Sequence, residues 1–232
     1  MSWDDGAVDE EIFARWLYGQ EDNSPQAVCA RAPNVTLDDA LQPHRGRADS
    51  WIAENWERIV EVELRQTRRR LGASPTLDQV LALDLCPDRI ALDRWLLDWE
   101  EARQPTRVPD DGGYLNWFEP DNCSLLPLPT AASEEVLAYV SFYGGEGPGG
   151  HERWIALLRS WRERYGAEMV ACWGTMLQLQ VSAPPKTLDE AFVVAVEQSL
   201  AAPCTLALPG VSIRDHARAL MGRPEWFIHE RP

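Results

Sequence analysis

Lysine is almost missing from this chain: Lys186 stands alone against 21 arginines. Positive charge as a whole is scarce, with 22 basic residues facing 37 acidic ones and a formal net charge of -15. The deficit is shared, 21 acids against 12 bases in residues 1–105 and 16 against 10 in residues 106–232. Both halves therefore repel nucleic-acid backbones and anionic membranes, and neither is expected as a partner. A basic protein is instead drawn toward such a surface. The basic run Arg65, Arg68, Arg69 and Arg70 shares its predicted helix with Glu57, Glu61 and Glu63 and reads as a solvated, partly paired face.

Cysteine is sparse and never paired in sequence. Cys29, Cys86, Cys123, Cys172 and Cys204 lie at least 32 residues apart, the count is odd, and no Cys-x-x-Cys occurs. That spacing excludes a clustered zinc site and a secreted disulfide framework, and it fits reduced thiols in a cytoplasm. The four histidines are too scattered for His-Glu-x-x-His, and the one glycine-rich turn lacks the Lys-Ser/Thr of a P-loop, so no metal and no cofactor is expected. Long apolar runs are missing too; none approaches the roughly 20 residues a membrane span requires. The opening MSWDDGAVDEE has neither the basic region nor the apolar run of a signal peptide.

What is present is tryptophan, 11 residues of it, together with clear helix punctuation. Residues 8–18 read as a short helix carrying Ile12, Trp16 and Leu17, and Thr36 to Asp39 can cap another that ends before Pro43. The longest helix is expected from Asp49 or Ser50 to Gly72, with Ile52, Trp56, Ile59, Val60 and Leu64 on its apolar side. Thr76 and Gln79 form a capping-box pattern, and Asp88 can cap the helix that carries Leu92, Trp95, Leu96 and Trp99.

The character changes at QPTRVPDDGG, residues 104–113. Beyond it Tyr114 to Phe118, Ser124 to Leu128 and Ala138 to Tyr143 look extended. After the glycine-rich turn Gly144 to Gly150 comes a helix whose Trp154, Leu157, Leu158, Trp161 and Tyr165 share one stripe. Gly166 is its natural C-cap, and the β-favouring segments 168–173 and 176–181 are joined by Gly174-Thr175 as a tight hairpin. A second capping box, Thr187 to Glu190, opens a further helix; Ser212 to Leu220 forms another, and Trp226 to His229 a last strand. The expected fold class is α+β: a helical N-terminal half, residues 1–105, followed in residues 106–232 by an antiparallel sheet with helices packed on one face, a split βαβ-like core.

Two groups of residues are candidates for function. Tyr114, Trp117, Phe118, Glu119 and Asp121 form the densest mixture of aromatics and acids. Aromatic anchors ringed by acids suit a tight interface with a basic partner, and the same residues also suit an aromatic strand followed by a solvated turn. The alternative is a cysteine-dependent enzyme or small-ligand-binding protein, which needs Cys172 or Cys204 brought to His216 or His229.

The run from AYVSFYGG to PPKTLDEAF, followed by Cys204 and ARALMGRPEWFIHE, resembles the bacterial DUF4253 family. The features that carry the resemblance are the strand and glycine turn at Tyr139 to Gly145, the helix end Trp161-x-x-Arg164-Tyr165-Gly166-Ala167, the hairpin, the Pro184-Pro185-x-Thr187 helix start and Leu220-x-Gly222-x-Pro224-x-Trp226. They cover roughly residues 124–230. The family is uncharacterised, so the resemblance implies a C-terminal α+β domain and no catalytic residues. In general character, small acidic Trp-rich proteins of this kind are similar to immunity proteins that bind and neutralise effector toxins. The expected function is accordingly capture of a cognate, basic effector or toxin in a bacterial cytoplasm, with a structural or stress-response scaffold as a further alternative.

Overall fold

A computed structural model describes residues 24–41, 49–83, 85, 87–106, 110, 112–116, 124–145 and 149–231. The helix expected over residues 8–18 lies outside them. Within them the first 105 residues are helical: α1 (Pro25–Arg31), α2 (Leu37–Leu41), α3 (Asp49–Glu54), α4 (Trp56–Leu71), α5 (Leu77–Leu81) and α6 (Arg89–Glu101). The second part holds α7 (Gly150–Tyr165), β1 (Ala167–Cys172), β2 (Met176–Val181), α8 (Leu188–Ala201), α9 (Cys204–Ala207), α10 (Ile213–Leu220) and β3 (Glu225–His229). The strands form one antiparallel sheet in the order β1-β2-β3.

Local chemistry sets most element ends. Thr76 and Thr187 each accept from the third helical N–H while Gln79 and Glu190 reach back to the cap amide, so both capping boxes close. Gly72 and Gly166 end α4 and α7 in the left-handed conformation, at φ 73° and 59°. The long helix expected from Asp49 divides at Asn55, whose side-chain amide donates to the Trp51 carbonyl at 2.9 Å. The Asn55 backbone amide is shared between Trp51 O and Ile52 O, at 3.1 and 3.3 Å, so the turn tightens there before Ile59 N–H resumes the ladder on Asn55 O at 2.9 Å.

The segment Ala138 to Tyr143 is not a strand. Ser133–Ala138 coils into a 3-10 helix, and the amides of Tyr139 and Val140 both bond Val136 O, at 2.9 and 3.1 Å, so they are spent locally and not on a ladder. Within residues 138–143 Phe142 alone is fully buried, whereas strand alternation would bury every second residue. The sheet therefore keeps three strands among the described residues. Ser124 to Leu128 likewise has no strand partner, and Tyr114 sits in a 3-10 turn, Gly113–Leu115.

The hairpin forms as its sequence indicates, with Gly174 at φ 73° in the turn and Val170 bulged out of register between Met169 and Ala171. In β2, Leu177, Leu179 and Val181 point into the core, while alternation turns Gln178 to the opposite side, where its amide donates to Leu115 O and Trp226 O at 3.2 and 2.9 Å. Trp161 and Trp226 meet edge to face beside the sheet, and Trp161 Nε1 donates to Glu197 Oε2 at 2.7 Å. The Trp161 N–H is thus held, while Trp226 Nε1 is buried with no hydrogen-bond partner among the described residues; both ring bodies fill the core.

Two apolar clusters result. The larger joins α7, α8, α10 and the sheet with Val28, Ala40 and Leu41 of the first two helices and Ala32 of the 3-10 turn between them. A smaller one, Trp56, Ile59, Val60, Leu64, Val80, Leu92 and Leu96, ties α4, α5 and α6 together. The glycine-rich turn is a packing device: a Cβ on Gly150 would lie 2.2 Å from Gly145 O, so the chain folds back on itself only without side chains there.

Candidate functional site

Helix α10 is the element that couples the two clusters. Ser212 caps it, its Oγ accepting from Asp215 N–H, and every residue of Ile213–Leu220 except Asp215 is buried. Two of those buried residues are arginines. Arg214 Nη1 donates to Glu63 Oε2 at 2.7 Å and to Asp93 Oδ1, its Nε donates to Glu100 Oε1 at 3.1 Å, and its Nη2 reaches Glu63 O at 3.2 Å. One turn on, Arg218 donates to Glu100 Oε2 at 2.6 Å and to Asp215 Oδ1 at 2.9 Å. Thr67 Oγ1 adds a bond to Glu100 Oε1 at 2.6 Å. The carboxylates belong to α4 and α6 and the guanidiniums to the C-terminal half, so a buried ionic network spans the junction.

The network holds more negative than positive charge. Glu63, Asp93 and Glu100 face Arg214 and Arg218, all five essentially without solvent exposure. Burial raises the Asp93 pKa to about 6 against the pull of Arg214, with Glu63 adding repulsion. Asp93 Oδ2 has no hydrogen-bond partner among the described residues. For Arg214, burial favours the neutral form, but the surrounding Asp93, Glu63 and Glu100 outweigh it and raise its pKa, so it stays charged.

Beside the network a cleft of about 1090 Å³ opens between α4 and the start of α6 on one side and α8, α9 and the start of α10 on the other. Ile90, Val196, Leu200, Leu206 and Ile213 give it apolar walls. Glu63 stands at its inner wall, and Arg89, 47% exposed, sits with Nη2 3.5 Å from Glu63 Oε1. Asp88 is also in the lining, but its Oδ1 is committed to capping α6, accepting from the N–H groups of Ile90 and Ala91 at 2.8 and 3.0 Å.

Of the aromatic and acidic residues singled out from sequence, the structure describes one. Tyr114 packs against the core with its hydroxyl 2.8 Å from His216 Nδ1. Trp117, Phe118, Glu119 and Asp121 lie outside the described residues, as do Cys86 and Cys123. Directly after them, Leu125 and Leu126 are exposed, Leu125 fully.

The structure does not bring the cysteine and histidine candidates into hydrogen-bond contact. Cys172 Sγ approaches Ser141 O and Cys204 Sγ approaches Arg231 O, each at 3.8 Å, and burial raises the Cys172 pKa. His216 is enclosed, its Nε2 donating to Gln198 Oε1 at 2.7 Å while Nδ1 accepts from Tyr114. Burial lowers its pKa to about 3, so the ring is a neutral structural strut. Among the described residues no group of three His, Cys, Asp or Glu side chains is arranged to hold a metal ion, and no helix is long and apolar enough to cross a membrane.

Sequence reading missed the ionic network because charged residues are placed on the surface by default. A signal was nevertheless present. Glu63 continues the helical face of Ile59, Val60 and Thr67, while Asp93 and Glu100 flank Leu96 and Leu97 at three- and four-residue steps. Acids inside an apolar stripe have to find buried partners.

The fold is that of an α+β protein in which helices pack on a three-stranded antiparallel sheet, with a helical region joined to it by buried charge. Residues 124–229 match the family model of a domain of unknown function, DUF4253. The match runs from the exposed Leu125-Leu126 segment to the closing strand, so Arg214 and Arg218 lie inside the matching part while Glu63, Asp93 and Glu100 lie before it. No curated protein and no solved structure matches the chain.

Proposed function

We propose that this protein works by binding another protein, as an immunity-type protein that captures and neutralises a cognate, basic effector or toxin in a bacterial cytoplasm. The observation that carries the proposal is the exposed pair Leu125 and Leu126, contiguous in sequence with the aromatic and acidic stretch Tyr114 to Asp121, on a chain of net charge -15. Apolar side chains left in solvent supply the desolvated centre that interfaces draw their affinity from, and a net negative charge speeds the approach of a cationic partner. The proposed partner-binding segment comprises Tyr114, Trp117, Phe118, Glu119, Asp121, Leu125 and Leu126.

Co-expression with effectors encoded beside the gene, followed by affinity capture and growth rescue, tests this. A stable complex and restored growth are expected. Trp117→Ala or a Leu125→Ala/Leu126→Ala double variant should lower affinity at least about 30-fold, the effect of losing about 2 kcal/mol at an interface centre. Glu119→Gln and Asp121→Asn should mainly slow association, and the slowing should fade in high salt. Absence of both complex and rescue across the neighbouring effectors would remove the proposal.

A further inference from the structure

The interhelical cleft is built for a charged ligand of one sign. Its lining carries Glu63, Asp88 and Arg89, a net charge of -1, and the network behind it adds three carboxylates against two guanidiniums once Glu63 is counted. Glu63 is 2% exposed, its Oε2 is occupied by Arg214 at 2.7 Å, and Oε1 has only Arg89, at 3.5 Å, beyond ordinary hydrogen-bond length. The network is short of donors and not of acceptors, since Asp93 Oδ2 is buried without a partner.

Anion binding is the natural competitor, because the N-terminus of α6 opens onto this space. That N-terminus is already neutralised: Asp88 occupies the free amides of Ile90 and Ala91. Arg89 is likewise offset by Glu63. Among the described residues the donor nearest Glu63 Oε1 is Arg89 Nη2 at 3.5 Å, too long for a hydrogen bond, so a closer N–H donor has room to displace the half-exposed Arg89 there, and the walls beyond are hydrocarbon.

We propose that the cleft is a binding site for a small amphipathic organic cation, an alkyl or aralkyl ammonium whose N–H groups meet Glu63 Oε1 and whose hydrocarbon body lies along Ile90, Val196, Leu200 and Leu206. Its volume suits a small molecule with several such groups buried. The charged hydrogen bond fixes orientation and the apolar walls supply most of the affinity. The site is argued from none of the residues Tyr114 to Leu126, so its occupancy is testable with no protein partner present.

The experiment is isothermal titration calorimetry of the full chain at pH 7.5 with n-hexylammonium, hexanol and hexanoate. Hexylammonium should bind at one site per chain, at least about 10-fold more tightly than hexanol, a ratio that corresponds to one charge-assisted hydrogen bond. Hexanoate should be the weakest of the three. Ala207→Trp narrows the opening from an exposed position and should abolish binding while leaving the melting temperature in place. Glu63→Gln should remove the preference for the amine over the alcohol. Equal or tighter binding of hexanoate, unchanged hexylammonium binding in Ala207→Trp, or no hexylammonium binding up to millimolar concentration would overturn the proposal. The Ala207→Trp result stands even if Glu63→Gln fails to fold.

Discussion

Replacing Arg214 by Met keeps a side chain of similar length in the junction and removes its charge. Three buried carboxylates then lose their shared cation. Glu100 retains Arg218 and Thr67, and Glu63 retains Arg89 at 3.5 Å, but Asp93 keeps no partner among the described residues. A lone buried carboxylate escapes by taking up a proton. At pH 7 that costs about 1.4 kcal/mol for each unit between the pH and the unfolded pKa of about 3.9, close to 4 kcal/mol in all. The parent, whose Asp93 pKa is about 6, already carries all but about 1.4 kcal/mol of this, and the loss of Arg214's bonds to Glu63 and Glu100 brings the total toward the roughly 3–5 kcal/mol typical of breaking a buried ion pair from one side. For a chain of this size it corresponds to a fall of about 10 °C in melting temperature.

The pH dependence separates this account from simple loss of packing. At pH 5 the cost of protonating the stranded carboxylate falls to about 1.5 kcal/mol, and Asp93 of the parent, with its pKa of about 6, is protonated there as well, so the gap between Arg214→Met and the parent should close by about 1.4 kcal/mol. Urea denaturation of both proteins at pH 7 and pH 5 measures that gap. Adding Asp93→Asn to Arg214→Met removes the stranded charge and should recover part of the loss, a coupling of about 2 kcal/mol between adjacent sites. A loss below about 1 kcal/mol at pH 7, or a gap that does not change with pH, would refute the view that the network holds the two clusters together.

Three further outcomes follow from the geometry. His216 has a folded pKa of about 3 against an ordinary 6.5, so the unfolded chain binds the extra proton below pH 6.5 and stability falls as pH is lowered from there toward 3. By pH 5 this should amount to about 2 kcal/mol, and His216→Gln should flatten that part of the stability profile; an unchanged profile would contradict the enclosed neutral ring. Gly150→Ala should cost more than Gly174→Ala, because the first drives a Cβ to 2.2 Å from Gly145 O while the second meets nothing within 4 Å and suffers only from its φ of 73°. Expected losses are up to about 3 kcal/mol for overpacking and about 1 kcal/mol for the left-handed conformation, read from thermal melts. Thr187→Ala opens the capping box of α8 and should cost about 1 kcal/mol, with Thr187→Ser restoring it.

The chain's local chemistry is enough to determine where most helices begin and end. Thr76 with Gln79, Thr187 with Glu190, and Ser212 before α10 place their caps through bonds to residues two or three positions on, and Gly72, Gly166 and Gly174 mark reversals that only a missing side chain eases. Such interactions span so few residues that the linear order contains them. The same holds for the hairpin and for the apolar stripe of α7. Tertiary structure decided the rest. Ala138 to Tyr143 has a strand's composition, yet burial of Leu137 and Phe142 against the core turns its amides inward on Val136. Arg214 meets Glu63 across 151 residues and Asp93 across 121, and His216 meets Tyr114 across 102. Nothing in an arginine's own neighbourhood tells a solvated guanidinium from one that neutralises buried acids, because the difference is the low-dielectric surroundings that distant helices bring to it.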